Sequence, residues 1–286
     1  MLNSSVKLDK KVADNFTNVK LALLIPPLCL LLLLLGYFFL FNEGENYIDR
    51  YVNIQKDLFF YLNGKLSELP NLQFNLTQLG DVLIFFPFLT IFIIYAPKIW
   101  EALLASAVLS LLVSATLKKL FSMPRPAAVF DNESFVIIGR TLSGQTSLPS
   151  GHSISTFVVI TILLFAFMPT KKTYKAIWSL CILALGVIIA ISRVGVGAHY
   201  PIDVVVGSAI GYIVTVIGIH ISNKVGWLSW FKNKKYYPIF ILFLLIWTGV
   251  LIFKILVVNL PIFYLSLLFL VVSIYLITRA YVQKKY

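Results

Sequence analysis

The sequence predicts an all-α protein, a polytopic bundle of transmembrane helices. Of its 286 residues 59% are hydrophobic and only 13% charged, whereas ordinary soluble domains carry about a quarter charged residues. Apolar runs long enough to cross a bilayer recur along the whole chain, and most basic residues sit in short blocks between them. The net charge of +12 therefore does not point to a nucleic-acid partner, which would need basic residues gathered on one soluble face.

A spanning helix takes about 20 mostly apolar residues, and eight stretches qualify: 21–41, 79–96, 100–120, 152–169, 176–193, 202–221, 237–255 and 261–279. The first is too long for a signal-peptide core and lacks a cleavage pattern after it, so it reads as a retained anchor. The second is the weakest, because its unbroken apolar part runs only from Val82 to Ala96. With the N-terminus inside, inner segments hold fifteen of the twenty-four Lys and Arg residues, among them Lys7, Lys98, Lys171, Lys224 and Arg279. Cytoplasmic loops retain such residues, so both termini are expected in the cytoplasm.

Two outer segments are long, 42–78 and 121–151. The first mixes Glu43, Glu45, Asp49 and Arg50 with Tyr51, Leu58, Phe59, Phe60 and Leu62. That pattern suits an amphipathic helix on the outer leaflet or a solvated connector. In the second, a cysteine at Ser147 is expected to be labelled from outside. Cys29 and Cys181 fall in apolar runs and read as packing residues.

Three clusters reach the same outer side. They are Lys118 to Pro126 (KKLFSMPRP), Pro149-Ser150-Gly151-His152, and Ser192 to Asp203 (SRVGVGAHYPID). Lys118, Arg125 and Arg193 would repel one another without an anion between them, and arginine's planar fork matches phosphate oxygens. Ser150 and Gly151 open a helix, whose unpaired N–H groups and dipole favour a bound phosphate. His152 and His199 supply a nucleophile and a proton donor, since imidazole titrates near neutrality. Asp203, four residues beyond His199, can take a hydrogen bond from one ring nitrogen and leave the other free. These residue types alone do not decide which histidine attacks.

The clusters resemble the type 2 phosphatidic acid phosphatase (PAP2) family, whose pattern is Lys-x6-Arg-Pro, then Pro-Ser-Gly-His, then Ser-Arg-x5-His-x3-Asp. Every position of that pattern is present. The resemblance covers roughly residues 79–221, with 21–41 similar to the family's first span, and leaves the last two spans beyond its six-helix core. It implies an integral membrane lipid phosphatase without metal or cofactor. His199 would be the nucleophile, passing through a phosphohistidine, Asp203 its orienter and His152 the acid, then base. Lys118, Arg125, Ser150, Gly151 and Arg193 would hold the phosphate.

The expected organisation is a cytoplasmic tail over 1–20, a catalytic membrane domain over 21–221 and a C-terminal helical hairpin over 222–286 with cytoplasmic ends. Family analogy points to a bacterial inner membrane, an active site facing the periplasm, and an envelope lipid as substrate, lipid A phosphate and undecaprenyl diphosphate being equal favourites. A phosphotransferase with the same intermediate, a phosphatidylglycerophosphate or phosphatidic acid phosphatase, and a non-enzymatic lipid transporter are the alternatives. The expected partners are the lipid substrate and the bilayer, with no obligate protein partner. Arg140 reads as a loop charge, Glu101 and His220 as interfacial residues, Gly207 and Gly211 as a helix-packing pair, and Trp227, Trp230, Tyr236 and Tyr237 as an aromatic belt.

Overall fold

The computed structural model describes residues 2–40, 46–226 and 233–283, so Glu43, Glu45, Trp227 and Trp230 lie outside the described residues. As predicted, the described residues form an all-helical membrane protein. Among the described residues six helices are long and apolar enough to cross a bilayer, two fewer than the eight stretches read from the sequence.

The N-terminal residues form α1 (Leu2–Thr17), which lies across one end of the bundle. Val12 and Phe16 are fully buried, and the Asn15 side chain donates to the carbonyls of Ala166 and Met168 at 2.9 and 3.3 Å. The next helix, α2 (Ile25–Leu40), presents exposed leucines on most of its surface. Lipid tolerates such exposure and water does not.

Three short helices follow, α3 (Tyr47–Asn53), α4 (Lys56–Leu66) and α5 (Pro70–Gln78). They pack down on the far end of the bundle instead of lying in lipid or solvent as the sequence suggested. Phe59 is fully buried among Phe130, Phe135 and Tyr200, and the Asn63 side chain bonds the backbone of Val136 and Val194. Such wedges of aromatic and amide groups need tertiary partners, which the one-dimensional pattern could not show.

The weak second span is a broken path: α6 (Val82–Phe85), a tight 3-10 turn (Phe86–Leu89) and α7 (Phe92–Tyr95). It leaves α5 at an angle of 84°. Pro87 has no N–H to continue the helix, and freed carbonyls inside a membrane must find protein donors. Trp247 Nε1 donates to Leu83 O at 2.9 Å, Ser266 Oγ to Ile84 O at 2.8 Å and Trp100 Nε1 to Leu89 O at 2.8 Å.

The central bundle consists of α8 (Pro97–Phe121), the short α9 (Pro126–Val129), α10 (Gly151–Ala166), α11 (Lys172–Gly195) and α12 (Pro201–Lys224). At 16 residues, α10 is about 24 Å long, less than the ~30 Å hydrocarbon core. It serves as the buried axis of the bundle. Gly207 and Gly211 make its seat on α12: a Cβ there would stand 2.6 Å from Ser150 O and 2.5 Å from Ile154 O. This is packing by backbone approach, as the small-x3-small spacing suggested. The hairpin α13 (Tyr237–Val257) and α14 (Pro261–Val282) closes the chain against the broken span.

Several expectations change. Glu101 is only 3% exposed and pairs with Lys98 at 2.9 Å, so it is a buried ion pair at the α1 end, not an interfacial charge. Cys29 and Cys181 are exposed on the outer faces of α2 and α11 and do not pack in the core. Residues 8–16 and 98–101 gather at one end, and residues 47–81, 118–151 and 193–203 at the other.

Candidate active site

The three clusters converge at that second end. Lys118 comes from the last turn of α8, which stops at Ser122 in the left-handed conformation (φ 47°). The chain then folds so that the Arg125 N–H donates to Gly144 O at 2.9 Å. Arg193 comes from the last turn of α11, after which the backbone reverses at Gly197 (φ 74°), where a Cβ would meet Val136 O at 2.6 Å. The N–H groups of Ala198 and His199 both donate back to Arg193 O at 3.0 and 3.2 Å. The five-residue spacing between Arg193 and His199 is thus one closed turn that sets both side chains on the same pocket.

His199 is 1% exposed. Arg125 Nη1 lies 3.2 Å from its Nε2, and Asp203 Oδ2 lies 3.2 Å from its Nδ1. A guanidinium only donates, so Nε2 accepts and the ring proton sits on Nδ1, facing the carboxylate. The lone pair of Nε2 therefore points at the cations. Arg125 also donates to Ala198 O at 3.1 Å.

Asp203 joins the clusters. Pro201 opens α12, and Asp203 at the third position accepts the Tyr200 N–H at 2.9 Å. Ser147 Oγ donates to the same carboxylate at 2.5 Å, and the Tyr51 hydroxyl to its other oxygen. The Asp203 carbonyl takes the Ser150 N–H at 3.1 Å. Ser150 is fully buried; its oxygen caps α10 by accepting from Ser153 N at 3.3 Å and Ser153 Oγ at 2.9 Å. Its hydroxyl oxygen is thus the cap acceptor, which leaves the O–H itself a donor. At Gly151 a Cβ would stand 3.5 Å from Lys118 Nζ, so this bare helix start and the ammonium face one another.

Arg193 is 6% exposed and donates through Nη1 to Thr77 Oγ1 at 2.6 Å. Its Nε is buried with no hydrogen-bond partner among the described residues, a donor that an oxyanion would satisfy. His152 feels the charges of Arg193, His199, Arg125 and Lys118. The eight residues singled out in the sequence thus come together at this end of the bundle, while Arg140 is exposed in the loop and His220 bonds Val216 O on its own helix. Tyr51, Thr77 and Ser147 were missed. Ser147 is fully buried, which makes it unsuitable for labelling; Gln145 beside it is exposed.

Burial pushes the His199 imidazole down to about 4, opposed by the Asp203 hydrogen bond and charge and reinforced by Arg125 and Arg193. A lowered value keeps the ring neutral, with its lone pair available, throughout the neutral range. Histidine-labelled protein followed by NMR should show this ring titrating near pH 4. Asp203→Asn should move the midpoint lower still, because a partner that favours the cation is lost. A midpoint at or above the ordinary 6.5 would contradict the buried geometry. Burial and then Asp203 likewise raise the Tyr51 phenol, so it stays a proton donor to that carboxylate.

A helical membrane protein with cations gathered around a buried, carboxylate-held histidine presents a site suited to a phosphoryl group. Residues 98–227 match the model of the PAP2 superfamily. An undecaprenyl-diphosphatase from Sulfolobus acidocaldarius is 26% identical over 200 residues, spanning 68% of this chain and 90% of that relative. The crystal structure of Aquifex aeolicus LpxE matches with a TM-score of 0.48 and 26% identity over 58% of this chain and 95% of that one. Residues 98–227 are thus similar to the PAP2 superfamily.

Proposed function

We propose that the protein removes a phosphoryl group from the diphosphate or monophosphate head group of a membrane lipid through a phosphohistidine on His199. The observation that carries this reading is the pair of contacts on one ring: Asp203 on Nδ1 and Arg125 on Nε2. The Nε2 lone pair attacks phosphorus and the bond to the leaving oxygen breaks, while His152 gives that oxygen a proton. His152 then takes a proton from water, whose oxygen attacks the phosphohistidine and releases phosphate with the N–P bonding pair returning to His199. Lys118, Arg125, Arg193 and the Gly151 N–H offset the charge that grows on the phosphoryl oxygens, each such donor contributing about 10²- to 10³-fold in rate. These cations supply positive charge of the kind a divalent ion would bring, which supports a metal-independent reaction.

An apolar groove of about 540 Å³ runs between α2 and the α8–α12 face, lined by Leu31, Leu35, Phe38, Leu117 and Ile210 and ending at Tyr51, Met123 and Leu148 beside the pocket. A long hydrocarbon chain fits there with its head group at His199. The undecaprenyl-diphosphatase relative favours undecaprenyl diphosphate over lipid A phosphate. The basic residues at the α1 end favour a cytoplasmic face there, hence both termini inside and the pocket at the outer face of a bacterial inner membrane.

Purified protein in EDTA is expected to release inorganic phosphate from undecaprenyl diphosphate. A requirement for added divalent metal would contradict the mechanism, and transfer of the label to a second lipid would reassign the enzyme as a phosphotransferase. In intact cells Gln145→Cys should react with an impermeant maleimide added outside; labelling solely from the cytoplasm would reverse the orientation.

A further inference from the structure

The hairpin α13–α14 lies beyond residues 98–227 and supplies none of the pocket's cations or histidines. It holds instead the bent stretch that backs the pocket. Lys254 Nζ pairs with Asp81 Oδ2 at 2.7 Å, and the Ile262 N–H donates to Asn75 Oδ1 at 3.2 Å. Trp247 and Ser266 take the carbonyls of Leu83 and Ile84. Asp81 also uses its other oxygen to cap α6, accepting from Leu83 N at 2.9 Å, so the bend and the ion pair share one carboxylate.

Between these fixed points stand two residues that touch the site. Gly80 lies flat against His152: a Cβ on it would be 2.5 Å from His152 Cβ and 2.8 Å from Cδ2. Thr77 Oγ1 holds Arg193. Thr77 is set by α5, which packs on α11, but Gly80 stands in the 84° bend between α5 and α6, where no continuous helix sets its position and the contacts to the hairpin hold it.

We propose that the C-terminal hairpin is a strut for catalysis, in which Lys254, through Asp81, fixes Gly80 as the wall behind the His152 ring. Lys254, Asp81 and Gly80 are positioning residues, and their role rests on the reading of His152 as proton donor. The charges facing His152 are those of Arg193, His199, Arg125 and Lys118, and Lys254 is not among them. Its effect is therefore one of placement and not of direct field.

The test measures phosphate release from undecaprenyl diphosphate across pH for purified wild type, Lys254→Ala, Lys254→Arg, Asp81→Asn, Gly80→Ala and His152→Ala, each checked for folding by its melting temperature in detergent. Loss of a proton donor costs about 10²- to 10⁴-fold, and misplacement should forfeit part of that. Lys254→Ala is expected to lower kcat by about tenfold or more with KM within about twofold, and to flatten the basic limb while the acid limb stays. Lys254→Arg should restore the profile. Gly80→Ala, which crowds His152 directly, should flatten the same limb with the ion pair intact. Should Lys254→Ala fail to fold, Asp81→Asn, which weakens the pair from the other side, decides the question by the same profile. If His152→Ala loses its basic limb while Lys254→Ala, or Asp81→Asn in its place, keeps wild-type kcat or loses rate equally at every pH, the strut is overturned and the proton donor stands. If His152→Ala keeps the wild-type profile, or the wild type releases no phosphate, the functional reading fails and the strut with it.

Discussion

His199→Ala is expected to abolish turnover, with kcat reduced about 10⁴- to 10⁶-fold, the scale seen when a covalent nucleophile is removed. The reason is geometric. Nε2 of His199 is the ring nitrogen whose lone pair meets Arg125, and Asp203 holds the opposite nitrogen. The variant should fold, because Tyr51, Ser147 and the Tyr200 N–H still satisfy the Asp203 carboxylate. It should also fail to acquire phosphate label in a quenched single turnover, where the wild type shows an acid-labile, alkali-stable phosphoprotein. Full activity in the variant would remove His199 from the chemistry.

Asp203→Asn carries the second largest expected effect, and a different signature. The carboxylate accepts four donors and has none of its own. An amide has a single oxygen and brings two N–H groups into the same buried space. To pair with that NH₂ group, His199 must move its proton to Nε2, which removes the lone pair from the attacking position. An imidazole held in the wrong tautomer costs about 10³- to 10⁴-fold in kcat. Each buried donor left without an acceptor costs about 1–3 kcal/mol of stability besides. Asp203→Asn should therefore lower both kcat and Tm, whereas Tyr51→Phe removes one donor, leaves the tautomer alone and should cost far less in rate. Steady-state kinetics and thermal melts on the two variants check this; a wild-type kcat in Asp203→Asn would mean that the carboxylate does not set the ring.

The site was legible in the sequence where spacing is converted into local geometry. Arg193 and His199 are joined by one closed turn, His199 and Asp203 by the first turn of α12, and Ser150 and Gly151 by the start of α10, so short-range chain statistics already place them. The supports were not legible. Tyr51 reaches Asp203 across 152 residues and Thr77 reaches Arg193 across 116, and no periodicity encodes which hydroxyl a folded loop will deliver. Ser147 stands close to the Pro-Ser-Gly-His motif, yet its burial depends on the carboxylate waiting above it.

The fold shows the same division. Long apolar runs located α2, α8, α11, α12, α13 and α14, because burial in lipid is decided by composition over about 20 residues. The 79–96 stretch was counted as one span, although Pro87 and the Asp81 cap break it, because its missing backbone partners come from Trp247 and Ser266 far along the chain. Lys98 stands one turn from Glu101 on α8 and was in view, but the burial of the pair was not, because α1 docks against α8 only in the folded bundle.

A structure of the protein with orthovanadate, which adopts the five-coordinate geometry of phosphoryl transfer, tests the central claim most directly. Vanadium should be bonded to His199 Nε2, with Lys118, Arg125, Arg193 and the Gly151 N–H around its equatorial oxygens and His152 at the apical oxygen opposite. Vanadate bonded to His152, or bound away from both histidines, would contradict the pocket described here.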